Sequence, residues 1–131
     1  MEKRNFNPTP WLQSFNMHHA IEVKGGERTL YVSGQTASAP DGSAMYPGDL
    51  VAQFQLAWDN VKAALAAADM GPDNVVRMSI YTTDVDAFMT QAEQLIPIFA
   101  QDGVQPVSTL LGVTRLYDPA IMVELEVTAV A

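Results

Sequence analysis

The chain contains no cysteine, which removes disulfides, thiolate nucleophiles and cysteine-ligated metals together. Basic residues are scarce: 7 Lys and Arg stand against 15 Asp and Glu, for a net charge of −8. Affinity for polyanions comes from clustered cations, so neither a nucleic acid nor an anionic membrane surface is expected as a partner. Long apolar runs are missing as well. The longest are a few residues, far below the roughly 20 that span a bilayer. The opening Met1-Glu2-Lys3-Arg4-Asn5, followed by Pro8 and Pro10, has no apolar signal core, so the expected location is cytoplasmic. Only two histidines occur, His18 and His19. Neighbours on a strand point to opposite faces, so one metal ion does not readily take both, and no metal site is expected. Gly-x-Ser-x-Gly and a phosphate-cradling glycine pattern are both absent.

What is present is one domain's worth of chain, 131 residues at 48% hydrophobic content, enough to bury roughly two-thirds of the surface the unfolded chain exposes. The domain expected is 1–131, undivided. Charged residues make up 17%, against about 25% in an ordinary soluble domain. That shortfall suggests surface covered by another subunit.

Residues 1–16 read as an extended lead-in with Phe6, Trp11, Leu12 and Phe15 to pin it. Alternation predicts strands over 18–24 and 29–34, with Gly25-Gly26 as a hairpin turn between them. Asp49 is placed to cap a helix whose apolar face is Leu50, Phe54, Ala57, Trp58, Val61, Leu65 and Ala68, stopped by Gly71-Pro72. A strand follows over 75–83, with Val76, Met78 and Ile80 on one side. A second helix is predicted from about Asp86 to Asp102, kinked by Pro97. Strands over 107–116 and 121–130 close the chain. Two helices covering one face of one sheet leave the other face bare. The last strand shows this: Ile121, Val123, Leu125, Val127 and Ala129 suit the helix side, whereas Met122, Glu124, Glu126, Thr128 and Val130 face away. A half-apolar open face on a small protein predicts self-association.

Two groups of residues attract a chemical reading. Gly34, in Ser33-Gly34-Gln35, ends a strand before a long loop. It is either a simple terminator or a place where a ligand approaches main-chain donors closely. Glu124 and Glu126 share the bare face of an apolar strand. They are either a solvated face, or a pair in which one carboxylate is partly desolvated and acts as a base or positions water.

The order and spacing of several segments resemble the RidA/YjgF family of small reactive-intermediate deaminases. These are Tyr31-Val32-Ser33-Gly34-Gln35, Gln53, Asp59-Asn60-Val61-Lys62, Val75-Val76-Arg77, Tyr81-Thr82-Thr83-Asp84, the run from Pro106 to Leu116, and the run from Val123 to Ala131. The resemblance covers about residues 17–131. It implies an α+β, chorismate-mutase-like fold: a single six-stranded mixed sheet with two helices on one face. Five of those strands are located above. It also implies a homotrimer around a central barrel, with ligand clefts at the subunit interfaces. The implied chemistry is cofactor-independent hydrolysis of enamines and imines to carbonyl compounds and ammonia. On this resemblance Glu124 matches the glutamate that holds the attacking water, and Ser33-Gly34 match backbone ligand contacts. Met17 and Phe88 match residues lining the cleft.

One departure matters. Ser108, in Pro106-Val107-Ser108-Thr109, stands where deaminating members carry an arginine that clamps the substrate carboxylate through two charged hydrogen bonds. Losing such a partner in a buried site costs about 2–5 kcal/mol, or roughly one and a half to four decades in rate. Arg115 lies at an odd separation from Ser108 and is expected on the opposite face. The function expected is therefore hydrolysis of a small imine, enamine or related carbonyl compound not anchored by an arginine. Glu124 would handle water, and Ser108 and Thr109 would offer hydroxyls. The alternative is a non-catalytic trimer that binds a metabolite or modulates an enzyme. A ribonuclease activity, sometimes attached to this family, is opposed by the charge and by the lack of a histidine acid–base pair.

Overall fold

A computed structural model describes residues 1–131. The elements in chain order are β1 (Glu2–Phe6), β2 (Ala20–Lys24), β3 (Thr29–Gln35), α1 (Leu50–Ala67), β4 (Val75–Thr82), α2 (Val85–Thr90), α3 (Ala92–Ala100), β5 (Val107–Gly112) and β6 (Val123–Val130), with 3-10 turns at Trp11–Phe15 and Pro72–Asn74. The architecture is α+β with helices on one side of a mixed sheet. No helix is long and apolar enough to cross a membrane.

The six strands do not form a single sheet. Four make one sheet in the order β3-β6-β4-β5, and β1 and β2 make a separate antiparallel ribbon. The expected hairpin between β2 and β3 is therefore absent. The lead-in supplies its own strand, β1, which takes the hydrogen bonds of β2 from Phe6↔Ala20 to Glu2↔Lys24. Gly25, at φ +80, turns the chain away towards β3 instead. The same lead-in holds both histidines: the Asn7 amide donates to His18 Nδ1 at 2.9 Å, and His19 N donates to Asn7 Oδ1 at 3.0 Å.

In the four-stranded sheet β6 is antiparallel to both β3 and β4, while β4 and β5 are parallel. Each parallel relationship is bridged by helix, β3 to β4 by α1 and β4 to β5 by α2 and α3. Asp49 caps α1 as its residue type demands, accepting from Ala52 N at 3.0 Å. The helix ends through Asp69, at φ 55, two residues before Gly71-Pro72. The second helix is broken in two. The break is at Gln91, with φ −103 and ψ 9, and Pro97 lies within the following helix. Strand β5 also stops at Gly112, four residues short of the predicted end. Arg115 thus sits in the loop to β6, and no strand parity applies to it.

Val123, Leu125, Val127 and Ala129 of β6 are all buried, packed with Phe54, Trp58, Val61 and Leu65 of α1. Val75, rather than Val76, joins Met78 and Ile80 on this face. A bulge opposite Ala129 and Thr128 inserts one extra residue into β4 and resets its alternation. Two side chains, Gln53 and Trp58, lock the core through polar bonds. Gln53, fully buried, donates to Ala120 O at 2.7 Å and accepts from Met122 N at 2.8 Å, tying α1 to the entry of β6. Trp58 Nε1 donates to Asp102 at 2.7 Å. The opposite face carries Arg77, Ser79, Tyr81, Thr109, Glu124 and Glu126 in register. Tyr31 there is 80% exposed and Leu111 47% exposed.

Candidate functional site

The β3–β6 pairing shifts between Val32↔Val127 and Gln35↔Leu125. Three steps along β3 answer two along β6, so Ser33 and Gly34 bow out as a bulge. Such bulges re-aim backbone and side chains locally. Gly34 lies directly against the carboxyl of Glu124: a Cβ at Gly34 would stand 2.7 Å from Glu124 Cδ and 2.9 Å from Oε1. Only a residue without a side chain allows this approach. The loop beyond is tied to α1 by Asn60, whose amide donates to Thr36 O at 3.0 Å and Ser38 O at 3.2 Å. With Gly34, Gln35 and Pro40 these residues line a depression of about 280 Å³.

The two glutamates of β6 are made unequal by their neighbours. Glu126 is exposed and accepts a hydrogen bond from Tyr81 Oη at 3.2 Å. Glu124 is half-buried, and no group of the chain donates to it. Burial, and secondarily the like charge of Glu126, push its carboxyl above the ordinary value. Tyr81, opposite Glu124 in the β4 register, is itself held protonated to higher pH, by burial first and then by Glu126. A carboxylate with a raised proton affinity and unfilled hydrogen-bonding capacity is suited to accept a proton from water.

A second cluster forms at the other edge of the sheet. Ser108 pairs with Met78 in the parallel β4–β5 register and so faces the helices. It opens into a cavity of about 60 Å³ shared with Met17, Phe15, Ile80, Phe88 and Phe99. Its hydroxyl donates to Met78 O at 2.5 Å. Phe88 is buried on the ring of Phe54, centroids 6.1 Å apart.

The residues singled out from sequence thus fall into two groups. Ser33, Gly34 and Glu124 come together at β3–β6, and Met17, Phe88 and Ser108 come together at β5. The groups lie on opposite faces of the sheet, with β4 between their strands, roughly 10 Å from β6 to β5 at about 4.8 Å per strand. Thr109 joins neither, since it pairs with Ser79 on the open face. None of the chain's arginines lines the Ser108 cavity. Arg28 donates to Ala68 O at 3.0 Å, Arg77 is on the open face, and Arg115 lines a loop depression with Thr83 and Asp118. Tyr81 joins Glu124 on the open face through the β4–β6 register. Its parity with Glu124 was legible in the alternation of β4, but its register was not.

The family model for Endoribonuclease L-PSP matches residues 15–131. A RutC family protein of Drosophila melanogaster, UK114, is 33% identical over 79% of this chain and 72% of its own. The crystal structure of YyfB from Yersinia pestis, of the Rid protein family, is 29% identical and superposes with a TM-score of 0.87 over 100% of both chains. Escherichia coli TdcF, solved with bound serine, is 26% identical with a TM-score of 0.70, covering 89% of this chain and 94% of that one. TdcF is named provisionally as a reactive intermediate deaminase. With the model match spanning nearly all of the chain and the whole fold shared, the chain belongs to the RidA/YjgF family.

Proposed function

We propose that the chain assembles as a homotrimer and hydrolyses small imines or enamines at sites completed across each subunit boundary. The observation that carries this reading is the placement of two incomplete clusters at opposite edges of one sheet. One holds Glu124, half-buried and without a hydrogen-bond donor from the chain, and the other holds a cavity. A head-to-tail contact that sets the β3–β6 edge of one protomer against the β5 edge of the next produces one composite site per subunit and closes as a ring. The bare face, with Tyr31 and Leu111 exposed, gives such a contact apolar surface to bury. The serine held by TdcF supports a ligand of amino-acid size for the family.

In the reaction, Glu124 accepts a proton from water as the oxygen adds to the C=N carbon. An enamine first takes a proton at its β-carbon to become the iminium; Glu124 then returns the proton it took from water to the nitrogen, and the carbinolamine collapses to a carbonyl compound and ammonia. Main-chain groups of Ser33-Gly34 face the addition site and orient it. No arginine of the chain lines the Ser108 cavity, so a 2-imino acid finds no clamp there and is a poor substrate.

The test measures ammonia release from 2-aminoacrylate and from a carboxylate-free imine, with sedimentation velocity on the same sample. The expected result is a trimer that turns over the uncharged imine and loses about 10²-fold or more in kcat on Glu124→Gln. A monomer, or full activity in that variant, overturns the proposal. Saturable binding without turnover would make the protein a metabolite-binding trimer instead.

A further inference from the structure

The cavity at Ser108 differs in kind from a carboxylate site. Eight of its nine lining residues are hydrophobic. The ninth, Ser108, has its one hydroxyl proton committed to Met78 O at 2.5 Å, so it has no donor left for an anion. No cation lines the space. A carboxylate entering here would lose its water and gain no partner, whereas an alkyl group would exchange water for Met17, Phe15, Ile96 and Leu110. The volume of about 60 Å³ corresponds to roughly two water-sized groups at about 30 Å³ each.

We propose that this cavity is the specificity pocket of the enzyme and receives a two- or three-carbon uncharged alkyl group of the substrate. The preferred substrates are then imines and enamines of short aliphatic aldehydes and ketones. This rests on the hydrolase reading above for its catalytic half, but the binding half stands on the cavity itself. Hydrolysis consumes one water per C=N bond and releases the aliphatic carbonyl compound and ammonia, with no other reactant.

Two measurements separate the halves. In the first, the methionine methyl groups are labelled with carbon-13, and the trimer is titrated with short aliphatic ketones and with the 2-oxo acids of matching chain length. Met17 and Met89 line the cavity. Their signals should move with the ketones, most for the side group of two to three carbons that fills the cavity, and remain still with the 2-oxo acids, while the Met70 signal stays fixed. Stronger shifts with the 2-oxo acids, or none with either, overturn the pocket whatever the turnover shows. In the second, kcat/KM is measured for a series of alkyl imines and their 2-imino acid counterparts. It should rise roughly fourfold per methylene until the pocket is full. The uncharged member of each pair should be favoured by about 30-fold or more. Leu110→Phe should move the optimum to a shorter chain, and Ser108→Arg should narrow or reverse the preference. A preference for 2-imino acids in the unaltered protein overturns the assignment. If the ketones shift Met17 and Met89 but no imine is hydrolysed, the pocket stands and the hydrolase reading falls.

Discussion

Replacing Gly34 by alanine isolates the contact on which the proposed role of Glu124 depends. The added methyl would sit 2.7 Å from Glu124 Cδ and 2.9 Å from Cγ. Ordinary van der Waals contact begins at 3.4 Å, so the carboxyl must retreat by about 0.7 Å. Gly34 is not among the residues at positive φ, and alanine adopts its backbone without strain. The obstructing atoms are the end of a flexible side chain, so the fold yields at little cost. Replacing glycine stabilises by about 0.4–1 kcal/mol through the unfolded chain, which offsets part of the crowding. The expected outcome is a melting temperature within a few degrees of the parent and an unchanged oligomeric state. The activity should fall about 10²-fold, as a displacement approaching 1 Å of a reacting group implies. Gly42→Ala is the contrasting control. Nothing lies within 4 Å of it, but its φ is +86, so it should lose about 1–2 kcal/mol of stability and keep its activity. Full activity in Gly34→Ala would show that Glu124 does not act from the position seen. A collapse in stability would show that Gly34 serves the fold rather than the site.

Two further outcomes follow from other parts of the molecule. The folded state holds a proton on Glu124 more tightly than the unfolded chain, so stability from this group is lost as pH rises from its ordinary value of 4.5 through the elevated folded value. Glu124→Gln should abolish that slope and melt higher than the parent above the window in thermal scans, and the acid limb of the pH–rate profile should lie above 4.5 in the parent. Gln53→Leu keeps the volume but leaves Met122 N and Ala120 O unsatisfied in the interior. It should cost about 2–4 kcal/mol, read as a lower urea midpoint at unchanged slope.

Several features could be read without coordinates because they depend only on local periodicity and cap chemistry. The apolar face of α1 from Leu50 to Leu65, its cap at Asp49 and the two-sided alternation of β6 all appear as the residues predict. A 3.6- or 2-residue period is a property of the chain itself. Sheet partnership is not. Gly25-Gly26 carries the composition of a hairpin, yet β2 pairs with β1, because the choice between partners depends on which strand packs beside it. The same holds for Arg115: its strand parity vanished once β5 ended at Gly112.

The site divides along the same line. The sequence by itself determined that Glu124 lies on the face of an apolar strand turned away from the helices, and that position 108 carries a neutral hydroxyl. Only the tertiary structure decided that Gly34 touches Glu124, since a bulge in one strand and the register of another must coincide to bring them within contact. Only it decided that Ser108 spends its proton on Met78 inside an apolar cavity at the far edge of the sheet. Distance along the chain carries no record of which strands become neighbours. That is set by the burial of the whole core at once.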